Sequence, residues 1–94
     1  MARRRARVDA NHAAVVAALR LRGWYVHDCS RLGGGFPDLV VARRGRIALI
    51  EVKDGTQPPS RQALTPSEIK AWDAFDAAGV RVLVVRSVDE ALAL

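Results

Sequence analysis

The chain has 94 residues and 10.2 kDa, half of them hydrophobic and 27% charged, which suits one small domain with its own core and excludes a disordered chain. No apolar run approaches the roughly 18 residues of a membrane span, and the basic N-terminus is followed by no apolar signal core, so the expectation is a cytoplasmic protein without a membrane association. A single cysteine, Cys29, allows neither an internal disulfide nor a cysteine-built zinc centre. The formal net charge is +5, and thirteen of the fifteen cations are arginine. They are unevenly spread: residues 1–46 carry +7 and residues 47–94 carry −2. A basic half rich in planar guanidinium groups suits a polyanion, and nucleic acid is the first candidate.

Residues 1–8, with Arg3, Arg4, Arg5 and Arg7, read as a flexible basic arm that either tracks phosphates or is simply solvated, and residues 9–94 read as the domain. Asp9 or Asn11 can cap a helix over about 11–21, with Val15, Val16 and Leu19 as its apolar stripe and Gly23 as its stop. Trp24–Cys29 reads as a strand, and Ser30–Pro37, which holds Gly33-Gly34-Gly35, as a loop. Asp38–Ala42 and Arg46–Lys53 are two β-rich runs, and Arg43-Arg44-Gly45 between them reads as a hairpin turn. Asp54–Leu64 is a polar loop. Thr65-Pro66-Ser67-Glu68 is a capping box that opens a helix whose apolar face is Ile69, Trp72 and Phe75. Gly79 stops it, Val80–Arg86 is an apolar strand, and Ser87-Val88-Asp89-Glu90 is a second capping box before a short last helix. The order predicts an α/β fold in which the last strand, arriving through a helical crossover, joins parallel to a neighbour. Ile47–Ile50 and Val82–Val85 are too apolar for strands with one wet face, so a sheet covered on both sides is expected.

Acids interrupt that apolar sheet. Glu51 and Lys53 are two apart and share a face. If Arg44 and Gly45 form a two-residue turn, Arg43 faces Arg46 and Asp38 comes opposite Glu51, with Cβ atoms about 4.5–5.5 Å apart. Two carboxylates at that spacing repel by roughly 3 kcal/mol at an effective dielectric of 20. A proton, Lys53 or a hard cation must offset this, and an all-oxygen donor set suits Mg²⁺ or Mn²⁺. A bulge at Gly45 would shift the register and remove the pairing. In that case Asp38 ends a strand in solvent and Glu51–Lys53 is a surface ion pair.

Gly35-Phe36-Pro37-Asp38, twelve residues, then Glu51-Val52-Lys53 resembles the PD-(D/E)xK signature of the restriction-endonuclease-like nucleases. The finer resemblance is to the small stand-alone VRR-NUC (virus-type replication and repair nuclease) proteins. It is carried by Arg31-Leu32-Gly33-Gly34-Gly35-Phe36-Pro37-Asp38, Glu51-Val52-Lys53-Asp54-Gly55 and the Leu64-Thr65-Pro66 helix start, and it extends over nearly the whole chain from Asp9. It implies a restriction-endonuclease-like mixed sheet of about four strands flanked by helices. It also implies a metal-dependent DNA endonuclease in which Asp38, Glu51 and the main-chain carbonyl of Val52 hold Mg²⁺ or Mn²⁺ and Lys53 orients the attacking water. A homodimer acting on branched or junction-like DNA would suit so small a domain. The same fold with weak or lost catalysis, acting as a nucleic-acid-binding domain, is the alternative.

In similar nucleases the first helix brings a Glu toward the metal, and the matching position here is His12. His12 lies on the inward stripe, as either a metal ligand or a core or cap histidine. The glycine run lacks a following helix N-terminus and so argues against a nucleotide cofactor; instead it reads as a slim backbone that lets DNA approach Asp38, with Arg31 beside it. Trp24, Trp72 and Phe75 read as core and not as base-stacking platforms, His27 reads as a residue of a sheet face, and the capping box accounts for Glu68, although the resemblance implies that this helix starts near the site.

Overall fold

Helix α1 (His12–Leu21), strand β1 (Tyr25–Asp28), strands β2 (Leu39–Arg43) and β3 (Arg46–Val52), helices α2 (Pro59–Gln62) and α3 (Pro66–Ala77), strand β4 (Val82–Val85) and helix α4 (Val88–Leu92) follow one another along the chain in the computed structural model. It describes residues 10–94. The expected basic arm, residues 1–8 with Arg3, Arg4 and Arg5, lies outside the described residues, as does Asp9. The sheet order is β1-β2-β3-β4, with the first three strands antiparallel and β4 parallel to β3. This is the mixed four-stranded, helix-flanked sheet that the family likeness implies.

The hairpin is a two-residue turn. Arg44 and Gly45 both have positive φ, 51° and 78°, the combination that matches the right-handed twist of the flanking strands. Arg43 therefore pairs with Arg46, and the register runs on through Ala42–Ile47, Val41–Ala48, Val40–Leu49 and Leu39–Ile50. No bulge intervenes, and the next step of the ladder brings Asp38 opposite Glu51.

The two faces of the sheet are unlike. On one, Leu39, Val41, Ile50, Val52 and Val85 lie under α1 and α4 and form the core with Val15, Leu19, Trp24, Val26 and Ala91. Glycines close both long helices. The Trp24 N–H reaches the Leu19 carbonyl around Gly23, and the Val80 N–H reaches Phe75 around Gly79, with φ of 88° and 86° at the two glycines. The other face is covered only in part. Leu49 and Val82 are buried near α3, but Tyr25 and Ile47 are 63% and 73% exposed and no residue of α3 is fully buried. The expectation of a sheet covered on both sides thus holds for the α1/α4 face and for the β3–β4 half of the other.

Three local expectations are corrected. The Asp54–Leu64 segment contains α2, a single turn started by Pro59 after Pro58. Asn11 stands at the N-cap of α1 but makes no capping bond, because its Nδ2 donates instead to the carbonyls of Lys53, 3.1 Å, and Arg86, 3.0 Å. At α4, Ser87 accepts the Glu90 N–H as expected, but the Glu90 carboxylate accepts from Arg86 and not from Ser87. The box at α3 is complete, with Thr65 and Glu68 each accepting the other's N–H.

Candidate metal and phosphodiester site

The end of the hairpin strands, the Gly33–Phe36 loop, the α2 turn and the start of α3 enclose a cleft of about 640 Å³. Asp38, Glu51 and Lys53 all line it, so the three signature residues are brought together. Glu51 and Lys53 are 4% and 7% exposed, which disposes of the surface ion pair. Oδ2 of Asp38 accepts the N–H of Val52 at 2.9 Å, fixing one carboxylate oxygen across the strand pair.

Glu68 joins them from the first turn of α3. Its Oε1 lies 3.2 Å from Lys53 Nζ, closer than Glu51 Oε2 at 3.7 Å, and also accepts the Thr65 N–H at 3.0 Å. The site thus sets Glu51 and Glu68 on one ammonium, with Asp38 beside Glu51. Burial pushes Asp38 up from the usual carboxylate range, against the pull of the Val52 N–H and nearby His12. Burial likewise lifts Glu51, to about 9, with the neighbouring Asp38 and Glu68 adding to it. Burial also opposes ionisation of Glu68, but the Thr65 N–H and Lys53 outweigh it and hold Glu68 low. Lys53–Glu68 is therefore the ion pair that counts, while Glu51 keeps a proton and its Oε1 is buried without a hydrogen-bond partner among the described residues.

His12 is buried on the inward stripe of α1, and its Nε2 is 2.9 Å from Asp28 Oδ2 at the end of β1. Burial pushes the Asp28 carboxyl up, but the Ser30 hydroxyl and N–H and His12 prevail, and its pKa falls to about 2. His27 stands on the open sheet face, its Nδ1 3.2 Å from the Tyr25 hydroxyl. Trp24 is buried with the Arg43 guanidinium 4.5 Å from its ring centroid, and Phe75 stacks edge-on with Phe36 at 5.9 Å. These aromatics serve packing, as expected.

The glycine run divides. Gly33 and Gly34 line the cleft with positive φ and open space at their Cβ positions. At Gly35 the structure gives a separate reason for glycine: a Cβ there would lie 2.2 Å from the Ser67 carbonyl oxygen and 2.8 Å from the Glu68 N. Glycine at 35 lets the loop sit against the start of α3, and so helps place Glu68. Arg31 is exposed and does not line the cleft; the arginine that does is Arg61, on α2.

Sequence reasoning missed Asn11 and Arg61, and placed the start of Glu68's helix near the site without naming Glu68 a site residue. Glu68 had a sufficient local explanation in the capping box. Asn11 acts across 42 and 75 residues of chain, a separation no spacing rule reaches. Arg61 depended on a helical turn hidden between two prolines.

As for a cation, the donor chemistry fits: two facing carboxylates, one with an unpartnered buried oxygen, are what a Mg²⁺ or Mn²⁺ ion that keeps several waters requires. Among the described residues no set of three His, Cys, Asp or Glu side chains is drawn together as a metal cage.

No protein-family model matches the chain, and no curated protein does. Among solved structures, one described as a VRR_NUC domain is similar over 88% of this chain and 91% of its own length, with a TM-score of 0.64 and 29% identity. The likeness carried in the sequence by Pro37-Asp38 and Glu51-Val52-Lys53 therefore extends to the fold that brings those residues together, and over most of its length the chain is similar to a VRR_NUC domain.

Proposed function

We propose that the protein is a metal-dependent DNA endonuclease that hydrolyses phosphodiester bonds. The observation that carries this reading is the cleft itself, where Asp38 and Glu51 face each other across a hairpin with Lys53 beside them. The similar solved structure named a VRR_NUC domain, a nuclease-type domain, supports it. Asp38 and Glu51, with the Val52 carbonyl, would hold Mg²⁺ or Mn²⁺. A cation held there would act as a Lewis acid on a phosphoryl oxygen and lower the pKa of a nearby water. Lys53 would orient that water and steady the charge that builds on the phosphate. The water oxygen bonds to phosphorus, the bond to the leaving sugar oxygen breaks, and that oxygen takes up a proton. Arg61 and the left-handed Gly33-Gly34 backbone bracket the strand being cut; Arg31 would contact phosphates outside the cleft, and Arg3, Arg4 and Arg5 add cationic charge that suits phosphate contact, positioning without specifying.

A domain of this size covers a short footprint, so a homodimer that sets two clefts on two strands of branched or junction-like DNA is the assembly we favour. Among the described residues no helix is long and apolar enough to cross a membrane.

A second reading, a nucleic-acid-binding domain with weak or lost catalysis, is favoured by one observation. At the first-helix position where similar nucleases carry Glu stands His12, with Nε2 already bonded to Asp28. Cleavage of a labelled four-way junction, a nicked duplex and single-stranded DNA, with Mg²⁺, Mn²⁺ or chelator, separates the two. Metal-dependent cutting abolished by Asp38→Ala supports the nuclease. Salt-sensitive binding without cutting under either metal supports the second reading and overturns the first.

A further inference from the structure

The α2 wall of the cleft is held by polar contacts. No residue of α2 is buried, so apolar packing of the kind that seats α1 does not set its position. Hydrogen bonds do, and they converge on Arg86, the residue after β4. The Gly55 N–H donates to the Arg86 carbonyl at 3.1 Å, and a Cβ on Gly55 would lie 3.0 Å from that oxygen. The segment leaving β3 therefore passes hard against the end of β4. Farther along, the Nε–H of Arg86 donates to Oε1 of Gln62 at 3.0 Å. Gln62 uses its other amide atom as well: Nε2 donates to the Gln57 carbonyl at 2.7 Å, which closes the segment on itself. Arg86 thus grips residues 55–62 at both ends, once with its main chain and once with its side chain.

Arg61 stands beside the outer grip. It is exposed and lines the cleft together with Asp38, Glu51, Asp54 and Glu68, yet among the described residues its guanidinium is in no ion pair. Lys53, the other cation of the cleft, is shared between Glu51 and Glu68. The planar fork of an uncommitted guanidinium suits a phosphate. We infer that Gln62 and Arg86 are positioning residues for DNA: the latch they form holds the α2 turn so that Arg61 meets a backbone phosphate of the strand in the cleft. Without the latch, a four-residue turn with no buried side chain would have to be ordered when DNA binds, and that cost opposes affinity. The inference rests on the nucleic-acid part of the reading above and not on cleavage, since Arg61 would hold a phosphate equally in a nuclease and in a binding domain.

Gln62→Met is the decisive variant, because it keeps the length and neutrality of the side chain and removes both hydrogen bonds. Binding of a short labelled duplex and single strand is measured in chelator and in Ca²⁺ over about 50–200 mM KCl. Each phosphate contact contributes about 0.9 to the slope of log K against log salt on duplex, and about 0.7 on a single strand. Arg61→Ala should lower the slope by that amount and weaken binding about five- to tenfold near 0.1 M salt. Gln62→Met should reproduce most of both effects although it changes no charge, and the double variant should bind no worse than Arg61→Ala alone. Its melting temperature should stay within about 3 °C of wild type. On any DNA that is cut, KM should rise with kcat unchanged. An unchanged salt slope in Gln62→Met, additive losses in the double variant, or a lower kcat at unchanged KM overturns the inference. If wild type binds neither DNA, the nucleic-acid reading fails and the latch with it. If wild type binds with a steep salt slope but cuts nothing, the nuclease reading fails, and the slopes still decide the latch.

Discussion

The two faces of the sheet divide the protein's tasks. Under α1 and α4, Val15, Leu19, Leu39, Val41 and Ile50 are fully buried and wholly apolar. On the opposite face, Leu49 and Val82 are covered near α3, Tyr25 and Ile47 face solvent, and the buried end of the strands holds Asp38, Glu51 and Lys53. The first face supplies stability with no chemistry. The second crowds three carboxyl groups into a poorly solvated cleft, an arrangement that works against stability unless a proton, Lys53 or a cation offsets it. A β-hairpin makes this possible because residues alternate between faces, so one strand can serve both.

The largest expected effect lies on the sealed face. Leu19→Ala should cost about 2–5 kcal/mol in denaturant unfolding, whereas Ile69→Ala on α3, where the side chain is already 47% exposed, should cost about 1 kcal/mol or less. Equal losses would mean that α3 is as firmly packed as α1 and would erase the contrast. Next comes Gly35→Ala, which forces a Cβ into the backbone at the start of α3 at a residue with φ of 82°. A loss of about 1–3 kcal/mol is expected, together with weaker metal binding as Glu68 shifts. Gly34→Ala, with open space at its Cβ, should show only the smaller backbone penalty.

Glu51 sharpens the comparison through pH. Its folded-state pKa, about 9, lies above the ordinary 4.5, so the folded protein keeps a proton that the unfolded chain releases. Without a cation, stability is then greatest at pH values below 4.5 as far as this group is concerned, and it declines as pH rises toward 9. Glu51→Gln removes that slope and should raise the melting temperature at pH 8 by about 5 °C or more, read by calorimetry with chelator present. A wild-type protein whose stability climbs over the same window would contradict the assignment of the proton to Glu51. The smallest effect is at the hairpin: Arg44→Gly, at a φ of 51°, should stabilise by roughly 0.5–1 kcal/mol without touching either face.

Much of this was legible from residue order because it is local. Arg44-Gly45, read as a two-residue turn, sets the register that brings Asp38 against Glu51, and only a bulge at Gly45 could have shifted it. Thr65-Pro66-Ser67-Glu68 announced α3, and Gly23 and Gly79 ended their helices by backbone geometry alone. What was not legible depends on where distant segments meet. Gly35 is glycine because α3 arrives against it. Asn11 leaves its cap to bridge two strand ends, and Asp28 takes the histidine that the helical stripe only turned inward. The incomplete cover of the second face was hidden for a related reason, since Ile47 and Tyr25 look like core residues until α3 is seen to reach only half the sheet.

The central claim is that the strained acidic end of the open face is a cation site. The most direct measurement is the melting temperature of wild type and Asp38→Asn with increasing Mn²⁺ or Mg²⁺ at pH 7.5. Binding at a hundred times Kd contributes about 2.7 kcal/mol, so wild type should gain roughly 10 °C, while Asp38→Asn gains little. A flat wild-type response, or an equal rise in Asp38→Asn, would contradict the claim.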